Sequence, residues 1–106
     1  MSWKITFLNR KVEHEALEFP QGILADLLHV LEMIEEMGPD LGRPYAAPMG
    51  CGLFEIRARC KEGIGRSLFC TKKGQEIVIL HLFVKKTQRT PKQDLDLARR
   101  RQREMK

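Results

Sequence analysis

Long apolar runs are missing from this chain: no stretch approaches the roughly 18 apolar residues that a membrane-spanning helix needs. The opening residues, Met1-Ser2-Trp3-Lys4-Ile5-Thr6, hold no apolar segment behind a basic one, which predicts no secretory signal. Cysteine is scarce and poorly spaced for chemistry. Cys51, Cys60 and Cys70 make an odd count without a CxxC pair, which argues against a disulfide framework and against a zinc site. Reduced thiols in a cytoplasmic protein are the expectation, with the three cysteines on separate strands or strand ends. Internal repeats and low-complexity segments are lacking too. What remains is 106 residues, 42% hydrophobic and 31% charged. This balance excludes a disordered tail, a collagen-like fibre and a multi-domain enzyme, and it suits a single domain over 1–106.

The charge is unevenly placed. The chain carries a net +5, yet residues 1–52 hold four basic and eight acidic side chains, whereas residues 53–106 hold fifteen basic and six acidic ones. A basic half on a small domain points to a polyanionic partner, most often a nucleic acid.

Periodicity supplies the elements. Trp3–Leu8 alternates as a strand, and Asn9 punctuates it. Residues 11–19 suit a short helix with Val12, Ala16 and Phe19 on one side. A second helix begins with Pro20 at its first position and carries Leu24, Leu27, Leu28, Leu31 and Ile34 as an apolar stripe up to Gly38-Pro39. Residues 39–52, with three prolines and three glycines, read as a long surface loop. Strands are expected at Leu53–Cys60, Ile64–Thr71 and Glu76–Val84, the last being the most apolar and hence placed centrally. A closing helix starts with Thr90 as N-cap, Pro91 next and Gln93 completing a capping box, with Leu95, Ala98 and Met105 as its apolar residues. The expected fold class is α+β, in the order β-α-α-β-β-β-α, with a mainly antiparallel sheet. The two early helices lie on one face.

Strand alternation sorts the charges. Phe54, Ile56 and Ala58 share one face, and Glu55, Arg57 and Arg59 the other. On the last strand, Val78, Leu80, Leu82 and Val84 are assigned to the helix-covered face, and Ile79, His81, Phe83 and Lys85 to the opposite one. Arg66 joins this second face. Cations that hold phosphate beside a ring that stacks on a base suit single-stranded RNA. Solvent-facing strand residues, with Phe83 packed under the last helix, are the alternative.

The segments LFEIR (53–57), Gly65-Arg66, IVILHLFVKKTQ (77–88), Thr90-Pro91 and Ala98 resemble the HigB branch of the RelE/ParE toxin superfamily, in particular its phage-derived toxins. The resemblance is strongest over 53–98. It implies a small RelE-like fold and the toxin of a type II toxin-antitoxin system: a metal-independent, ribosome-dependent mRNA endonuclease that inhibits translation. It also implies a cognate helix-turn-helix antitoxin as partner, no cofactor and no membrane association. By that resemblance Arg66 and Lys86 contact the phosphate and stabilise the transition state. Arg57 and Lys85 hold the mRNA backbone or assist proton transfer. Arg59, Phe83, Arg89, Arg99 and Arg103 are candidate contacts to messenger or ribosomal RNA. For the tail arginines, helix-dipole stabilisation is an equally good account.

One departure bears on mechanism. The best-known member has a tyrosine in the closing helix segment, where this chain has Pro91-Lys92-Gln93, and the sole tyrosine here is Tyr45 in the loop. His81 is the histidine of this face, a residue type suited to proton transfer at neutral pH, and it is the candidate for a catalytic proton. His14 and His29 fall on the early helices as surface or cap residues. A gyrase-inhibiting toxin of the ParE type and a catalytically inactive relative that binds RNA or antitoxin are the competing functions.

Overall fold

The computed structural model describes residues 2–85 and 89–105, with the Lys85 side chain excepted. The chain runs β1 (Lys4–Phe7), α1 (Arg10–Leu17), α2 (Gln21–Met37), β2 (Ala46–Gly50), β3 (Leu53–Cys60), β4 (Gly63–Lys72), β5 (Glu76–Lys85) and α3 (Lys92–Glu104). The five strands form one sheet in the order β1-β5-β4-β3-β2. Only β1 and β5 pair in parallel; the consecutive hairpins β2-β3, β3-β4 and β4-β5 are antiparallel. The α+β class and the mainly antiparallel sheet are as the sequence indicates. The middle strand, however, is β4, and β5 lies between β4 and β1.

Local chemistry accounts for the helices. Asn9 caps α1, its side chain accepting the Val12 amide at 2.9 Å, an arrangement worth about 1 kcal/mol relative to alanine. Pro20 is the N-cap of α2 and not its first residue. The buried stripe of α2 is Ile23, Leu27, Val30, Leu31 and Ile34; Leu24 packs at its margin and Leu28 is exposed. With Val12, Ala16 and Phe19 these side chains cover one face of the sheet over Ile56, Ala58, Ile77, Ile79 and Leu82. Each fully buried aliphatic side chain contributes roughly 1.5–3 kcal/mol. Gly65 of β4 is a point of close approach: a Cβ there would collide with Ile23 of α2 and with Phe19.

The opposite face is covered in part by α3. Ala98 is buried there among Leu53, Leu68, Cys70, Val78 and Leu80, with Leu95 and Met105 beside it. The acidic early helices and the basic tail thus lie on opposite sides of one sheet.

Two further expectations differ from the structure. The proposed loop over 39–52 contains β2, an edge strand joined to β3 by a tight turn in which Cys51 and Gly52 both have positive φ (54° and 77°). Such a turn matches the twist of a hairpin. Pro48 disguised the strand, and proline is tolerated there because β2 is an edge. The faces of β5 are also not those of simple alternation. Leu68 pairs with His81 but Phe69 pairs with Ile79, so Leu80 is an extra residue, a bulge. The bulge shifts the alternation by one. Val78 and Leu80 therefore lie on the α3 side, Ile77 and Ile79 under α1 and α2, and beyond the bulge Leu82 and Val84 return to the early helices. The Leu80 carbonyl accepts from Arg101 of α3 at 2.6 Å.

Candidate nucleic-acid interface

Register places the predicted residues in rows across the sheet. Arg57, Arg66 and Phe83 are cross-strand partners on β3, β4 and β5. Glu55, Leu68 and His81 form the row on one side of them; Arg59, Ile64 and the backbone of Lys85 form the row on the other. The bulge lies just outside these rows, so His81 and Phe83 keep the face that alternation assigned to them.

A buried carboxylate organises this face. Glu55 is 1% exposed. It accepts from Arg57 Nε at 2.7 Å and from Thr90 Oγ1, and it faces Arg66 Nη1 at 3.8 Å. Arg66 Nη1 also donates to Thr90 Oγ1 at 3.1 Å. Thr90 therefore does not cap α3 as expected. Its hydroxyl is spent on the Glu55–Arg66 cluster, and Pro91 occupies the N-cap without a side-chain bond. Arg66 is fully buried. Burial and the adjacent Arg57 pull its guanidinium below the ordinary value, and the Glu55 carboxylate holds it up. Like charges directly opposite each other in a sheet are destabilising, and Glu55 is what offsets the Arg57–Arg66 pair. Arg57 keeps a fifth of its side chain exposed, and its bond to Glu55 uses one of five N–H donors. Arg57 is the cation of this row open to a ligand, whereas Arg66 supports it from below.

His81 is 8% exposed and its Nε2 lies 2.7 Å from Asp94 Oδ1 on α3. Among the described residues its Nδ1 has no partner. Its ring stacks on Phe83 with centroids 5.4 Å apart. Phe83 is half-buried against the α3 side of the core: it packs beneath the last helix and borders the basic face.

The remaining candidates are more scattered. Arg59 and Arg89 are exposed, and the Arg59 amide donates to Asp26 Oδ2 of α2 at 2.7 Å. Arg99 serves the fold, donating to the Met49 and Gly50 carbonyls at the end of β2. Arg103 is exposed near Cys51 and Gln102, away from the Arg57 row. Lys86 lies outside the described residues, and of Lys85 only the strand backbone is described. Tyr45 precedes β2, and its carbonyl accepts the Arg57 amide at 3.1 Å, so the loop tyrosine is a backbone neighbour of the site. The expected scatter of the cysteines is observed: Cys51 in a turn, Cys60 at a strand end and Cys70 buried in β4. His14 is a surface residue beside Glu18.

Sequence reading does not assign Glu55, Thr90 or Asp94 to the site. Alternation places Glu55 on the face of Arg57, and that was the available signal. For Thr90 and Asp94 no local pattern reveals a partner 35 or 13 residues away.

Known proteins give the frame for this geometry. No curated protein matches the sequence significantly. Among solved structures, a double mutant of the E. coli toxin RelE in its free state is similar, with a TM-score of 0.69 and 12% identity over 95% of this chain and 98% of that one. The archaeal RelE–RelB complex from Pyrococcus horikoshii OT3 aligns with a TM-score of 0.58 and 19% identity over 79% of this chain and 96% of that one. The fold is that of RelE. A family model described as phage-derived protein Gp49-like (DUF891) matches residues 14–103, a span that contains the whole Glu55–Arg57–Arg66–Thr90 cluster, and the chain belongs to that family.

Proposed function

We propose that this chain is the toxin of a type II toxin-antitoxin pair, acting in the cytoplasm as a ribosome-dependent mRNA endonuclease. The observation that carries the reading is the Arg57–Arg66 cross-strand pair held over one buried carboxylate. A sheet that retains two opposed guanidinium groups at a cost to its own stability is built to meet an anion. The RelE fold and the phage-derived family support the toxin class. The partner is a small antitoxin, of helix-turn-helix type, that covers the basic face; one similar fold is solved as a RelE–RelB complex.

The chemistry fits the groups present. The 2′-OH of the RNA attacks the adjacent phosphorus, the P–O5′ bond breaks, and a cyclic phosphate and a 5′-OH result. One proton leaves the 2′-oxygen and one reaches the 5′-oxygen. Arg57 and Lys86 hold the phosphate and neutralise its developing charge, Arg66 fixes Arg57 through Glu55, and His81, oriented by Asp94, exchanges a proton. Lys85 and Arg59 guide the strand.

Expression of the chain alone should arrest growth, and ribosome-bound messages should show discrete cuts. Arg57→Ala and Lys86→Ala should each abolish both effects in folded protein. Continued translation with failing DNA supercoiling would point to a gyrase inhibitor. Tight RNA binding without cuts would identify an inactive relative.

A further inference from the structure

Beside the Arg57 row, between the turn before β2 and strand β3, lies a cavity of about 190 Å³. Pro44, Ala46 and Ala47 supply its apolar lining, the buried carboxylate Glu55 contributes to it, and Arg43, Arg57 and Arg59 complete it. Ala47 and Glu55 are cross-strand partners, so the apolar lining and the acceptor adjoin. The volume is below the roughly 300–1,000 Å³ of pockets that enclose drug-sized ligands. It suits one planar ring.

We propose that this cavity is a base-recognition subsite: it takes a single unpaired nucleobase of an RNA strand whose phosphates lie along Arg43 and Arg59. The inference deepens the nuclease reading and rests on RNA being the substrate. Three features favour a base over an acidic peptide side chain. The apolar lining from Pro44 and from Ala47, which shares the face of Glu55, suits a ring face, and a guanidinium such as that of Arg57 is a common stacking partner for bases. Glu55 is an acceptor with lone pairs remaining after Arg57 and Thr90. A carboxylate or phosphate placed deep in the cavity would meet Glu55 and be repelled, whereas a base amino group would donate to it. The amino groups of cytosine, adenine and guanine meet that requirement. The Watson–Crick N–H of uracil lies between two carbonyl oxygens that the carboxylate disfavours.

The test uses the purified full chain and nuclear magnetic resonance titration with CMP, AMP, GMP, UMP and inorganic phosphate. CMP, AMP and GMP should shift the amides of Ala46, Ala47 and Arg57, with UMP binding several-fold more weakly. Ala47→Val, which narrows the cavity on an edge strand, should weaken CMP about tenfold, the scale of one lost base contact. Arg43→Ala, on an exposed position, should weaken all four nucleotides alike. In cleavage assays on ribosomes, the cuts made by Ala47→Val should lose the preference among bases at one position. Equal shifts from inorganic phosphate and from nucleotides would overturn the proposal in favour of a simple anion site. Stronger occupancy by an acidic peptide than by any nucleotide would overturn it in favour of an antitoxin contact. If cleavage is observed but base preference is unmoved by Ala47→Val, this inference fails alone. If nucleotides bind the cavity but no message is ever cut, the nuclease reading fails and the binding site stands.

Discussion

Glu55 is the residue on which the basic face depends. It stands against two guanidinium groups in a setting with almost no solvent to screen them. Removing its charge while leaving Arg66 buried should therefore cost about 3 kcal/mol or more, and Glu55→Gln is expected to show this as a lower urea midpoint. Arg57→Ala should cost less. It removes the 2.7 Å bond to the buried Glu55 carboxylate but leaves Arg66 and Thr90 beside it and relieves the cross-strand repulsion, so the loss should be about 1–3 kcal/mol while growth arrest is abolished. A loss in Arg57→Ala as large as that in Glu55→Gln would make Arg57 a structural residue. Cys70 gives a pH signature. Burial raises its thiol above the ordinary 9.0. The unfolded chain loses the proton first, so stability is intact below pH 9.0 and declines as pH rises through that value and beyond. Urea midpoints on either side of pH 9.0 should show this decline, and Cys70→Ala should flatten it.

At the scale of elements, the sequence read well wherever one period governs a whole segment. Alternation along β3 correctly separated Ile56 and Ala58 from Glu55, Arg57 and Arg59, and that separation already outlined the site. It failed on β5 because one inserted residue at Leu80 reverses the assignment of Val78, Ile79 and Leu80. A bulge leaves no mark in apolar periodicity when every residue around it is apolar. It failed on β2 because proline and glycine signal a loop, and only the finished sheet shows that this segment lies on an edge. It misassigned Thr90 because a hydroxyl ahead of a helix reads as a cap, while the competing partners, Glu55 and Arg66, come from distant strands. The fit of α2 on β4 is testable at Gly65. Gly65→Ala should cost about 1–3 kcal/mol by overpacking against Ile23 and Phe19. Thermal unfolding of the variant would show whether α2 can retreat without that loss.

For the molecule as a whole, charge is sorted by side, and association with RNA should respond to salt accordingly. Each phosphate neutralised on a single strand contributes a slope of about −0.7 to the logarithm of affinity against the logarithm of salt. Arg57→Ala and Arg59→Ala should each reduce that slope in a filter-binding series, whereas charge removal on the early helices should leave it unchanged. The pairing of β1 with β5 has a consequence of another kind. Lys4 lies beside Glu76, so β1 waits for a strand far along the chain to complete its place in the sheet. Contacts so remote along the chain form late and slowly. A nascent chain cut short before β5 would lack the partner of β1, the ring of Phe83 and the His81 side chain at once. Folding and competence therefore arrive together, once β5 is in place, and fragments that stop short of β5 should be inert.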